Sequence, residues 1–399
     1  MSELTPNTSK TSRANIIGFL PAIAFVIVLV AGFGVTIASL RDVPENAWTG
    51  ITEPQQLFGG ESTRRFSAQL NEHFLLSKPF SQIERAVTWT IAGDTGTAVS
   101  TGCKDWFFLS DELETFPDPD HSAIARANIV KALAKNLAGR GIQLVIAVVP
   151  DKSRIEQAHL CGLHRPASFA GRIDNWVALL KQSKINTINL EPVLAATPGE
   201  RYYRTDSHWN ENGANAAAAA IASYLQAEKM QVMPAVAPDK AALHSTTIAR
   251  DGDLLRVSNL QGLPAILRPK PEQTQLTTIV ASATPDSGAS SNSSSNTSSD
   301  INSNTSDDLF GDTGLPTVAL IGTSFSRNAN FVPFLGHYLG APVASFAKEG
   351  GNFEGSALAY LGGKTFQQSP PKVVLWEVPE RMLQKPLSAA EKQWLDYQK

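Results

Sequence analysis

The sequence predicts an α/β layered domain built on a parallel sheet and preceded by one membrane-spanning helix. Two patterns carry that expectation. Residues 14–40 hold no charged side chain, and from about residue 122 onward amphipathic stretches alternate with short apolar, β-branched runs, the pattern of strands joined by covering helices.

About 20 apolar residues are enough to cross the hydrocarbon core, so "ANIIGFLPAIAFVIVLVAGFGVTIASL" (14–40) reads as a transmembrane signal anchor. Lys10 and Arg13 precede it, while Arg41, Asp42 and Glu45 follow. The positive-inside bias then leaves residues 1–13 in the cytoplasm and exports everything after residue 41. A cleaved signal peptide, with Thr36 and Ala38 as small residues before a cut, is the alternative, but the apolar run is longer than an ordinary signal core. The expected location is the inner membrane, single-pass, with the remainder in the periplasm. Residues 41–60, rich in Pro, Gly and Gln, read as a linker, and the folded domain is expected over 61–390.

Within that domain, residues 62–92 show mixed helical spacing, "CKDWFFLSDEL" (103–113) reads as a short strand, and 122–139 as an amphipathic helix. "GIQLVIAVVP" (141–150) is a continuous apolar run between Gly and Pro, which fits a strand buried on both faces of a parallel sheet. A helix near 171–183, a strand at 185–190 and a helix from about 211 to 228 follow. Strands at 317–322, 341–346 and 372–378 complete the alternation. Residues 282–308, dominated by Ser, Asn, Thr, Asp and Gly, cannot bury enough apolar surface to order themselves and read as a disordered surface insertion.

Composition narrows the function classes. The chain has 399 residues, a formal net charge of -3 and no block of Lys or Arg, so binding of nucleic acid by bulk charge is not expected. Cys103 and Cys161 both fall on the exported side, where an oxidising compartment permits a bridge. Two unpaired thiols are the alternative. The seven histidines show no HxH or HExxH spacing, so no metal site and no cofactor are expected.

Chemistry concentrates in "RYYRTDSHWNENGANAAAAA" (201–220). Asp206 lies two residues before His208, close enough to accept the imidazole Nδ1 hydrogen and to turn Nε2 toward a substrate as a base. A capped, solvated loop entering the next helix, with Asn210 or Asn212 as N-cap, explains the same residues without catalysis. In "TVALIGTSFSRN" (317–328) an apolar strand ends in Gly322-Thr323-Ser324, and the carboxyl end of a parallel strand is where α/β ligand sites form. Ser324 is therefore the candidate nucleophile, with a plain Ser/Thr helix cap as the alternative. "LWEVPER" (375–381) reads as a buried edge of the sheet in which Glu and Arg pair. Tyr202, Tyr203, Trp209 and Phe331 read as core rather than as sugar-stacking platforms.

Taken together, "TDSHWNENGA" (205–214), "IGTSFS" (321–326) and "LWEVPER" (375–381), in this order, resemble the alginate O-acetyltransferase family in its exported SGNH-hydrolase-like members. "CKDWFFLSDEL" and "VVPDKSRIEQAHLCG" (148–162) are similar to the family's opening strand and P-x-K segment. The resemblance spans about residues 61–385 without the 282–308 insertion. It implies a flavodoxin-like three-layer α/β/α sandwich, a Ser-His-Asp triad at Ser324, His208 and Asp206, and pairing of Cys103 with Cys161.

The expected activity is transfer of acetyl groups to hydroxyls of an exopolysaccharide, alginate or a similar polymer, through an acetyl-serine intermediate. Backbone amides near Ser324, and the Asn352 side chain, are candidate oxyanion donors. The expected partners are a polysaccharide acceptor, an acetyl donor supplied by a membrane-bound O-acyltransferase, and the inner membrane through the anchor. A polysaccharide O-acetyl esterase and a non-catalytic scaffold of a secretion complex are the alternatives.

Overall fold

The computed structural model describes residues 14–230, 242–280 and 316–396. The expected cytoplasmic segment 1–13 and the Ser/Asn-rich insertion 282–308 lie outside the described residues. The chain divides into two compact units, Met1–Ala92 and Gly93–Lys399.

The first unit is helical. Helix α1 (Ala14–Ser39) contains the apolar run, and Phe19–Ser39 is long and apolar enough to cross a membrane. Single turns at Leu40–Asp42 and Glu45–Trp48 follow, then α2 (Pro54–Phe58), α3 (Glu61–His73) and α4 (Ser77–Ala92). The segment read as a linker is thus wound into short helical turns, held where Ser62 Oγ donates to the Ile51 carbonyl at 2.6 Å. Helices α3 and α4 belong to this unit rather than to the larger one.

The second unit opens with β1 (Val99–Thr101), β2 (Phe107–Leu109), α5 (Pro119–Gly139), β3 (Gln143–Val149), α6 (Lys152–Ile155), α7 (Arg172–Gln182), β4 (Asn186–Asn189), α8 (Glu191–Ala196) and α9 (Glu211–Ala227). It continues with β5 (Ala242–Arg250), α10 (Asp253–Val257), β6 (Glu272–Val280), β7 (Val318–Ile321), α11 (Phe331–Leu339), β8 (Val343–Ser345), α12 (Gly355–Leu361), α13 (Lys364–Gln368), β9 (Val373–Pro379) and α14 (Ala389–Asp396). Five strands form a sheet in the order β4-β3-β9-β7-β8, every neighbouring pair parallel.

The period-2 geometry of a strand sends alternate residues to opposite faces, and both faces are covered. On one, Val145, Ala147, Leu320 and Leu375 pack against Trp209 and the alanines of α9, with Phe331, Phe334 and Leu335 of α11. On the other, Leu144, Ile146, Ala319 and Trp376 meet Ile129, Val130 and Leu133 of α5 and Ile173, Trp176 and Leu180 of α7. The result is the three-layer α/β/α sandwich expected. The small side chains of Ala214, Ala217, Ala218 and Ala222 let α9 approach closely enough to be buried there.

Three features differ from the sequence expectations. Strand β9, carrying "LWEVP", is the middle strand, hydrogen-bonded to β3 on one side and β7 on the other, and all seven of its residues are buried. The expected edge position is therefore overturned, as a run apolar at nearly every position requires cover on both faces. The strand in "CKDWFFLSDEL" pairs antiparallel with β1 in a separate ribbon. Strands β5 and β6 form a nine-pair antiparallel hairpin in a stretch where no strand was expected.

The disulfide joins Cys103 to Cys161, tying the ribbon to the loop after α6. Beside it Trp106 stacks on the His159 ring with centroids 3.8 Å apart.

Candidate active site

Strand β7 ends at Ile321, and Gly322-Thr323 leads into a single 3-10 turn, Ser324–Arg327. The turn is held from below. Glu377, on the central strand β9, accepts from the Thr323 amide at 2.6 Å, from Thr323 Oγ1 at 3.0 Å and from Ser326 Oγ at 3.1 Å. A Cβ at position 322 would lie 2.6 Å from Glu377 Oε2, so glycine is what lets the carboxylate reach the turn. Burial pushes the Glu377 carboxyl up, against the hydrogen bonds from Thr323 and Ser326 that favour its charged form.

The second arm is the loop 203–210 entering α9. Asn210 is the N-cap, its side chain accepting from the Gly213 amide at 3.0 Å. Just before it, His208 is buried, with its ring edge-on to Phe325 at 5.0 Å. Nδ1 lies 2.6 Å from Asp206 Oδ1 and Nε2 lies 2.6 Å from Ser324 Oγ. With Asp206 ionised, Nδ1–H donates to the acid and Nε2 accepts from the serine hydroxyl, the tautomer a general base requires.

Asp206 is equipped to stay ionised. Oδ1 also accepts from the His208 amide at 3.0 Å, and Oδ2 accepts from Arg250 Nη2 at 2.8 Å and from the Asp253 amide at 3.1 Å. Burial opposes the charge, but the hydrogen bonds from His208 and Arg250 and the charge of Arg250 outweigh it and hold the carboxyl well below the usual carboxylate range.

Three sequence-distant elements hold this loop. At the end of the hairpin, Arg250 pairs in register with Glu272. Arg250 grips Asp206 and stacks on Tyr203 at 4.4 Å, while Glu272 accepts from the Arg204 and Thr205 amides at 2.7 and 3.2 Å. Asp253 at the start of α10 accepts from both the amide and the hydroxyl of Ser207 at 2.7 Å. From the protein interior, Lys152 Nζ donates to the carbonyls of Phe107, Arg204 and Asp206 at 2.5, 2.9 and 2.9 Å. All three ammonium hydrogens are used, and burial pushes this lysine down to about 8.

Asp206, His208 and Ser324 open onto a cavity of about 400 Å³, also lined by Arg250, Arg256 and Gly350. Asp206, His208 and Asp253 present an oxygen–nitrogen–oxygen donor set within 4.8 Å of one another. Two of these donors already face partners, Asp206 the Arg250 guanidinium and His208 Nδ1 the Asp206 carboxylate, so the set is arranged as a hydrogen-bonded chain.

The structure brings together Ser324, His208 and Asp206 and leaves Asn352 apart. Asn352 is exposed, in a left-handed conformation at φ 48°, and is not among the cavity-lining residues. The amide of Ser324 has no acceptor among the described residues, which leaves it as a free donor beside the hydroxyl. Tyr202, Tyr203, Trp209 and Phe331 are buried core, and Trp209 Nε1 donates to the Phe325 carbonyl at 3.0 Å. Glu380 pairs with Arg154 at 2.6 Å and with Arg165, not with Arg381 as the compact "PER" suggested. Arg381 lies instead 5.3 Å from the Phe325 ring centre. Arg250, Asp253 and Glu272 were missed, because they act from the unexpected hairpin and its tip.

The family model for the SGNH hydrolase-like domain of acetyltransferase AlgX matches residues 99–380. The probable alginate O-acetylase AlgJ of Pseudomonas aeruginosa is 28% identical over 381 residues, covering 94% of this chain and 91% of that protein. The alginate biosynthesis protein AlgX of Pseudomonas putida is 30% identical over 290 residues, covering 68% of this chain and 54% of that protein. Among solved structures, the O-acetyltransferase domain of Pseudomonas putida AlgJ matches with a TM-score of 0.59 at 25% identity, covering 75% of this chain and 98% of that one.

Proposed function

We propose that this chain, which belongs to the SGNH-hydrolase-like AlgX acetyltransferase family, moves acetyl groups onto an exported polysaccharide by way of Ser324. Its relatives include a probable alginate O-acetylase and an alginate biosynthesis protein, and they support polysaccharide O-acetylation as the activity. The observation that carries the acetyl-serine step is the continuous relay Asp206–His208–Ser324, both of its links 2.6 Å long.

In the first step His208 Nε2 takes the Ser324 proton as Oγ attacks the acetyl carbonyl of the donor. Asp206 stabilises the imidazolium, and the free Ser324 amide faces the negative charge developing on the carbonyl oxygen. Collapse breaks the bond to the leaving group, which takes the proton from His208 and departs, leaving acetyl on Oγ. In the second step a sugar hydroxyl attacks that ester and gives its proton to His208. The proton then returns to Ser324 as the acetylated sugar leaves.

Helix α1 is compatible with a single-pass anchor or a signal sequence. We assign it the anchor role, with the catalytic unit in the periplasm and the acetyl donor supplied by a membrane-bound O-acyltransferase. For the acceptor we favour a uronate polymer such as alginate. Arg256 lines the cavity and is exposed, and its guanidinium has no ion-pair partner among the described residues, so it is available to a sugar carboxylate.

The test is transfer from an activated acetyl ester to mannuronate oligomers by the full-length chain in detergent, read by mass spectrometry of the sugar. Acetylated oligomers formed faster than free acetate support a transferase. Acetate alone, with oligomers present in excess, would make the protein an esterase.

A further inference from the structure

The four large apolar side chains Phe80, Ile83, Val87 and Ile91 on α4 are exposed by 59, 59, 49 and 81%. Their spacings of three, four and four residues place them on one face of the helix. Soluble surfaces rarely leave such a continuous apolar strip in water, and where they do it marks a contact. The strip lies outside the candidate active site and serves no step of acyl transfer.

Its position says what covers it. The Leu75 amide, two residues before α4 begins, donates to Ser39 Oγ at 3.0 Å, and Ser39 is the last residue of α1. If α1 spans the bilayer, its final turn lies where the hydrocarbon gives way to headgroups, and this bond places the start of α4 at the same depth. Leu75 and Phe58, in the same unit, are also exposed, by 55 and 92%. We infer that α4 lies along the outer leaflet of the membrane in which α1 is anchored, with Phe80, Ile83, Val87 and Ile91 inserted at the boundary between headgroups and acyl chains.

Insertion of this kind is what amphipathic interfacial helices do. Charge sets the lipid requirement. Residues 41–92 carry five Lys/Arg and six Asp/Glu, so attraction to anionic headgroups supplies little and apolar insertion supplies the binding. Lipid contact by α4 is therefore independent of anionic lipid and of salt, unlike that of a basic amphipathic helix. The inference rests on the anchor role assigned to α1.

The experiment uses the full-length chain in vesicles of phosphatidylcholine and phosphatidylethanolamine, with p-benzoylphenylalanine replacing Ile83, Val87, Gln82 or Phe25 in turn. Gln82 is exposed on the opposite face of α4, and Phe25 lies inside the apolar run of α1. After illumination, lipid-bearing peptides are expected at Phe25, Ile83 and Val87, several-fold more than at Gln82. The yields at Ile83 and Val87 are expected not to change when phosphatidylglycerol or salt is added. Lipid at Phe25 with none at Ile83 and Val87 overturns the inference and leaves the anchor standing. Crosslinks from Ile83 and Val87 to the chain itself, to a second copy or to another membrane protein overturn it in favour of a protein contact. Absence of lipid at Phe25 overturns the anchor role, and the inference falls with it.

Discussion

Ser324 and His208 sit 2.6 Å apart, yet the turn that carries one and the loop that carries the other are held in different ways. The serine turn is held from within the sheet by one buried carboxylate, Glu377, borne on the middle strand. The histidine loop is held from outside by Arg250 and Glu272 of the hairpin and by Asp253, with Lys152 closing it from below. The first arrangement fixes Ser324 to the fully buried central strand of the sheet. The second leaves Asp206 and His208 dependent on the hairpin, much of whose side-chain surface is exposed.

Substitutions on each side sharpen or break this contrast. The largest effect is expected from Ser324→Ala, which removes the attacking atom and should lower the acetyl-transfer kcat by about 10⁴-fold or more with no change in melting temperature. Next comes Asp206→Asn, which leaves the shape but favours the wrong imidazole tautomer, with an expected loss of about 10³–10⁴-fold in kcat. Glu377→Ala leaves the buried Thr323 amide and two hydroxyls without an acceptor. It should cost about 2–4 kcal/mol in denaturant unfolding along with activity, whereas Glu377→Gln keeps an acceptor in place and should recover most of the stability. Equal damage from both would show that the turn does not depend on that acceptor.

Arg250→Ala tests the outer side. In the wild type the Asp206 carboxyl is held below its unfolded value, so its contribution to stability is present above that value, about 4, and is lost as pH falls through the folded one. Removing Arg250 raises the folded value, so the midpoint of acid unfolding should shift to higher pH, with about a tenfold loss of activity at neutral pH. An unshifted midpoint of acid unfolding would mean that Arg250 does not set the charge of Asp206. The smallest effect is expected from Arg256→Ala, a rise of about 3- to 10-fold in KM for uronate oligomers with turnover of a neutral acetyl ester unchanged.

The same contrast explains how far the sequence could be read. The serine turn was legible because the apolar run Val318–Ile321 and the glycine after it mark the end of a buried strand. Asp206 and His208 were legible because they are two residues apart and precede an alanine-rich helix capped by Asn210. The alternation of buried strands and helices likewise announced the sandwich.

The outer grip was not legible. Strands β5 and β6 are rich in Thr and Gln, are exposed at most positions, and are joined by a long excursion through α10, so neither apolar periodicity nor a short turn gave them away. The pairing of Arg250 with Asp206 across 44 residues leaves no local trace. Glu377 was visible as a residue but misplaced, since a compact "WEVPER" suggests pairing within itself, whereas the strand carries Glu377 to Thr323 and Glu380 to Arg154 and Arg165.

Acetylation of Ser324 is tested by the intact mass of the full-length chain after brief exposure to an activated acetyl ester without acceptor, beside Ser324→Ala and His208→Ala. One acetyl group per chain is expected, located on Ser324 by peptide mapping and absent from both variants. An acetyl group that persists in Ser324→Ala, or ester turnover with no Ser324 adduct and unimpaired in His208→Ala, would contradict it.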